Sequence, residues 1–190
     1  WRWSAIRELP APTTFHALIV RRAARLPFQC QAVLALAATL GREFDEELLR
    51  RAGGWDADAL HEHPRRLVDA GFLTPTYDRA CASFQFAHDE VSRAIRAHQS
   101  SVEQQALHAR VAVALTERGS ASDAVIAAHF ELAGRSAEAH RHAVRAADAA
   151  LALYDTSAAA VLLTSAARHA PSPAALAAVR TRLASLAEAA

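Results

Sequence analysis

The chain has 190 residues and a net charge of +1, so no whole-chain electrostatic footprint marks a nucleic-acid or acidic-membrane binder. Apolar residues make up 52%, but much of that is Ala, the best helix former, and aromatic residues are few, which points to closely packed helices. No apolar run approaches the ~18 residues that span a bilayer, and Cys30 and Cys81 lie far apart without metal-ligand spacing, so a soluble protein in the reduced cytoplasm is expected.

Residues 1–12 hold two Trp and two Pro without a clear period. With no Met in the chain and Trp1 at its start, they read as a strap leaving an upstream domain of a larger protein. Thr13 or Thr14 can cap a helix that runs to about Leu26, and Pro27 ends it. A second helix over about Gln29–Leu40 is apolar all round and stops at Gly41. Asp45 caps a short third helix with Glu46 and Glu47 in its first turn, and Gly53-Gly54 closes it. A fourth helix opens at Asp56 or Asp58, should kink at Pro64, and stops at Gly71.

The pattern then changes. Residues 72–77 and 82–87, with alternating Phe84 and Phe86 around a polar Asp78-Arg79 turn, predict a hairpin, the only β signal in the chain. Short helices followed by a hairpin are the order of a winged-helix domain, placed over 13–98. From Asp89 onward the pattern is helical to the end. Leu107, Val111 and Leu115 share one face, and further helices are expected over about Ser122–Ala133, Ser136–Tyr154, Ser157–Ala170 and Pro173–Ala187. Ala146, Ala150, Ala159, Leu163, Ala166 and Pro171 follow the small–large rhythm of a helix-pair repeat about 34 residues long. The expected fold is therefore mainly α: a winged helix with one hairpin, then TPR-like antiparallel repeats over 99–190.

Arg25-Leu26-Pro27, the run Val33–Ala38, Leu40–Asp45, Leu67–Leu73 and Phe84–Asp89 together resemble bacterial STAND signalling ATPases, the multidomain relatives of AAA+ ATPases that include large LuxR-type regulators and cyclase- or kinase-linked ATPases. Leu107–Ala112, Ala127–Phe130 and Ala133-Gly134 are similar to the helical repeats that follow in such proteins. The resemblance implies an ATPase core upstream, then a winged helix and a TPR-like superhelix. The phosphate loop ending in Gly-Lys-Ser/Thr cannot lie in this chain, which has no Lys. The segment is thus expected to have no catalytic residues and no cofactor of its own, with ADP or ATP and Mg held by the parent. The implied partners are that core in cis and an inducer protein or other protomers on the repeats, with no membrane contact.

His88-Asp89, followed by Val91, Arg93 and Ala94, resembles the MHD motif of this family, with Ala87 in place of Met. The resemblance implies that His88 contacts the β-phosphate of ADP in the core, with Asp89 capping the helix that follows. A position just before a helix suits an anion contact, because free N–H groups and the positive dipole end meet there. The alternative is that His88 ends a strand and hydrogen-bonds within the wing.

Ten His invite a metal reading, but the pairs His61/His63 and His140/His142 are two residues apart and share no helical face, so no metal site is expected. His108 and His129 fall in apolar patterns and read as hydrogen-bonded core or groove residues. Arg65 and Arg66 would lie on the helix that reads DNA in DNA-binding winged helices. Pro64 in that helix and a wing with Asp78 beside Arg79 speak for a solvated Arg face instead. A pure protein-binding scaffold is the third alternative.

Overall fold

The computed structural model describes residues 15–77, 82–119 and 121–188. The strap over 1–12, the caps Thr13 and Thr14, the Asp78-Arg79 turn and Cys81 lie outside the described residues, as do the side chains of Asp58 and His61. Among the described residues the chain forms ten α-helices and three strands, in two compact units that divide between Gln99 and Ser100. None of these helices is long and apolar enough to cross a membrane.

The first unit runs α1 (Phe15–Ala23), α2 (Phe28–Leu40), β1 (Glu43–Asp45), α3 (Glu46–Gly53), α4 (Ala57–Asp69), β2 (Leu73–Tyr77), β3 (Ala82–Phe86) and α5 (Asp89–His98). Helix α2 is central. Cys30, Val33, Leu34, Leu36, Ala37 and Ala38 are buried along it, because α3, α4, α5 and β1 all pack against it. Its lack of a polar face is explained by that position. Asp45 caps α3 as expected, with its carboxylate accepting from the Leu48 N–H at 2.8 Å. Helix α4 continues through the buried Pro64 as one helix from Ala57 to Asp69.

The hairpin is present, but it is not the whole of the β structure. Residues Glu43–Asp45, of which only Asp45 was given a role, as the cap of α3, form a third strand, and the antiparallel sheet has the order β1-β3-β2. Phe44 stands opposite Phe84 in the register, and Pro75 faces Phe84 from the other side. Pro75 sits on an edge strand, where a missing N–H costs no ladder bond. A three-residue strand is too short to show alternation in sequence; pairing with β3 is what makes it a strand. Helix α1 is fastened to this unit by Arg22, which donates to the Ala70 carbonyl at 2.8 Å and lies over the Phe72 ring at 5.2 Å, and by His16 against Glu90 at 3.0 Å.

The second unit holds α6 (Ser101–Arg118), α7 (Asp123–Leu132), α8 (Ser136–Ala152), α9 (Thr156–Arg168) and α10 (Pro173–Glu188), each packed on the next. Ser100 and Glu103 form a reciprocal capping box at the start of α6. The core is small-residue packing around a few larger groups: Ala127, Ala143, Ala147 and Ala166 surround Leu163 and Val179.

Helices α4, α7 and α8 end in one and the same way. The two N–H groups past the end turn back onto carbonyls of the last turn: Gly71 and Phe72 on α4, Gly134 and Arg135 on α7, Tyr154 and Asp155 on α8. This ending needs a left-handed residue at the first of each pair. Gly71 and Gly134 supply it at φ 72 and 71, whereas Tyr154 adopts φ 59 with its side chain 92% exposed. A non-glycine residue there is strained by roughly 1–2 kcal/mol. Tyr154→Gly, losing few contacts, is expected to stabilise the second unit by up to about 1 kcal/mol after the added chain entropy is counted. A thermal melt followed by circular dichroism reads this, and a lowered midpoint would show that the Tyr154 ring does more than its exposure suggests.

Candidate functional site

Strand β3 carries its two rings into the sheet core: Phe44 lies 6.4 Å from Phe84 and 6.1 Å from Phe86 between ring centroids. Past Phe86 the chain is still tied on both sides. The Phe86 N–H donates to the Arg42 carbonyl at 3.2 Å and the Ala87 N–H to the Phe72 carbonyl at 3.0 Å. His88 is the next residue, in extended conformation at φ −146, ψ 141, and α5 starts immediately after it. The buried end of the sheet therefore delivers His88 to the mouth of α5.

His88 is exposed, and its ring makes no side-chain hydrogen bond or ion pair with the described residues. The internal hydrogen bond of the alternative reading is not formed among the described residues. The cap position falls on His88 itself, not on Asp89 as expected. Asp89 is the first residue inside α5, where its carboxylate faces the positive dipole end and lies 3.5 Å from Arg42 Nη1. The second acid of that turn, Glu90, accepts from His16 at 3.0 Å and from Arg93 at 2.7 Å, and these contacts, the His16 bond first, hold its carboxyl below the usual range. Both acids at this helix start thus face cations, and His88 is the side chain left open to the outside.

The other singled-out residues fall elsewhere. Arg65 and Arg66 lie on the outer side of α4. Arg66 is held by Glu62 one turn back at 2.7 Å, and Arg65 borders an open hollow with Glu46, Val68, Asp69, Pro75 and Phe84. Two acids on that rim are unfavourable for nucleic-acid phosphates. Cys30 is buried, with His63 Nδ1 3.9 Å from its sulfur, and burial pushes its thiol pKa up, so it stays a protonated thiol. Among the described residues no group of three or more His, Cys, Asp or Glu is placed to hold a metal ion.

His108 and His129 are hydrogen-bonded and half-buried, as expected, but the partners of the second unit's histidines were not legible in the sequence. His108 Nδ1 meets His129 Nδ1 at 2.9 Å between α6 and α7, and His142 Nδ1 meets Asp123 at 2.6 Å between α7 and α8. His140 Nδ1 lies 2.8 Å from the Ala166 carbonyl, and His169 Nε2 lies 3.2 Å from Glu131, which also takes Ser165 and Arg168. Burial pushes the Glu131 carboxyl up, but these three partners outweigh it and the net shift is downward. Each partner lies 19 to 38 residues away in the chain, beyond any local motif; the nearest is Asp123, with |i−j| of 19 from His142. The signal that could have pointed to them was the concentration of His on neighbouring helices.

No family model, curated protein or solved structure matches the chain.

Proposed function

We propose that this chain is the non-catalytic relay of a STAND-type signalling ATPase. In this reading the first unit is a winged helix that senses the nucleotide of an upstream core, and the second is a TPR-like protein-binding surface. The observation that carries it is His88: exposed, without a side-chain partner among the described residues, and held by the sheet at the start of α5, where an anion is favoured. The element order supports the winged-helix assignment. Helix α2, a short strand, helices α3 and α4, then a hairpin whose inner strand also takes β1 are the parts of that fold.

The repeat assignment is supported by two contacts between residues 34 apart. Ser165 donates to Glu131 at 3.2 Å, linking α9 to α7, and Arg182 donates to Asp148, linking α10 to α8. First helices thus meet first helices and second helices meet second helices, as stacked helix pairs of about that length require. The occupant of the repeat surface is an inducer protein or another protomer. ADP contacting His88 stabilises the closed state, and ATP with inducer favours the open one, a population shift driven by differential contacts.

The test is the nucleotide that co-purifies with the parent protein, with and without His88→Ala. A hydrogen bond to a charged phosphate is worth about 1.5–3 kcal/mol, so the variant is expected to hold ADP roughly 10- to 100-fold more weakly and to become active or oligomeric without inducer. Unchanged ADP occupancy and activity would reduce His88 to a surface residue and the segment to a plain binding scaffold.

A further inference from the structure

Helices α4, α7 and α8 close with the same turn, and its left-handed position falls on Gly71, Gly134 and Tyr154. Glycine serves folding at that position. A tyrosine at φ 59 strains the backbone, and its ring is 92% exposed. The ring makes no hydrogen bond or ring contact with the described residues, and Leu153 beside it is 80% exposed. Strain that no internal contact offsets marks a residue kept for binding. We propose that Leu153 and Tyr154 form a knob that seats in the hollow between α4 and the hairpin of a second copy of this chain, a transient head-to-tail contact.

The hollow has a volume of about 360 Å³ and is open to the outside. That is room for one aromatic side chain, with Leu153 at the lip, and it falls in the size range of ligand clefts. Val68, Pro75, Ala82 and Phe84 give it apolar walls for a ring. The carboxylates of Glu46 and Asp69 at its edge are acceptors for the phenol O–H, which loses its water when the ring is buried. Charge also matches. Arg65, at the same edge, is exposed and has no hydrogen bond, ion pair or ring contact with the described residues, whereas the adjacent Arg66 is held by Glu62. Asp155, next to the knob, accepts from the Ala158 N–H at 2.9 Å and from the Ser157 hydroxyl at 2.8 Å, but meets no cation among the described residues. A seated Tyr154 brings that carboxylate toward the Arg65 guanidinium, so two charges left open in the single chain meet across the contact.

Knob and hollow belong to different units, so each copy offers one of each and the contact is heterologous. Two side chains in one hollow bury less than the about 1,200 Å² of a stable interface, so association is weak and its strength is concentrated in the tyrosine. The contact needs neither His88 nor nucleotide.

Sedimentation equilibrium of the intact chain from about 10 µM to about 1 mM reads this contact. The mean mass of wild type is expected to rise with concentration. Tyr154→Gly removes the knob and relieves the strain, so it should associate at least about tenfold more weakly while melting no lower than wild type at high dilution. Ala82→Gln with Arg65→Glu, both at exposed positions, narrows the hollow and reverses the charge facing Asp155, and should weaken association to a similar degree. Mixing the two variants is decisive. One keeps an intact hollow and the other an intact knob, so together they should form pairs and grow no further. Should the double variant not fold, Arg65→Glu alone takes its place in the mixture. A wild-type chain that stays monomeric to about 1 mM, an association that Tyr154→Gly leaves unchanged, or a mixture that fails to pair overturns the proposal.

Discussion

Phe44→Ala is expected to destabilise the first unit by about 3–5 kcal/mol, the cost of removing a buried aromatic ring and leaving a cavity. Phe44 is 4% exposed and is the middle residue of a three-residue strand, so its ring against Phe84 and Phe86 is what fastens β1 to the sheet. The neighbouring Asp45 is the cap of α3, and the Arg42 carbonyl holds the Phe86 N–H two residues before His88. Loosening β1 therefore loosens the start of α3 and the support of the candidate site together. All three Trp of the chain, at positions 1, 3 and 55, lie in the first 99 residues. Urea unfolding followed by Trp fluorescence thus reports this part of the chain. A cost below about 1.5 kcal/mol would show that β1 contributes little, and Phe44→Leu, which keeps most of the volume, should retain most of the stability. On the proposed relay function, Phe44→Ala should also weaken ADP retention in the parent, which a purely local defect would not do.

Leu163→Ala is expected to cost the second unit about 4 kcal/mol, toward the upper end of the Leu→Ala range. Leu163 is fully buried against Ala127, Ala143, Ala147 and Ala166. Alanines have no rotatable arms to swing into the space, so the cavity collapses poorly. Partial filling can come from Val179 and the half-buried Val144, Leu162, Leu183 and Leu186 around it. A loss of this size approaches the whole stability of a domain of about 90 residues. Far-UV circular dichroism during urea unfolding, read beside the Trp signal, gives the value for the helical unit. A change under about 2 kcal/mol would mean that the surrounding helices close over the gap, whereas Leu163→Met should cost less than about 1.5 kcal/mol.

Local signals made much of the fold legible. The Asp45 cap, the Gly71 and Gly134 ends, the apolar run Val33–Ala38 and the alternating Phe84 and Phe86 each act within one or two turns of chain, and each sits where it was expected. The helices after Asp89 follow from Ala-rich periodicity punctuated by caps, for the same reason. His88 and Asp89 were also placed at the start of a helix, although which of them occupies the cap depends on φ and ψ at a single residue.

What sequence by itself determined about this protein is thus its helical character, the hairpin, and the residues that begin and end most elements, because those are fixed by backbone conformations and hydrogen bonds spanning three to five positions. Only the tertiary structure decided that Glu43–Asp45 is a strand, since a strand of three residues exists through its partner β3. The same holds for the open position of the His88 ring and for the pairings of His108 with His129, His142 with Asp123 and Glu131 with Ser165. Those depend on which helix faces which. Their partners lie 19 or more residues apart in the chain, where no local hydrogen-bond pattern reaches and only packing brings the groups together.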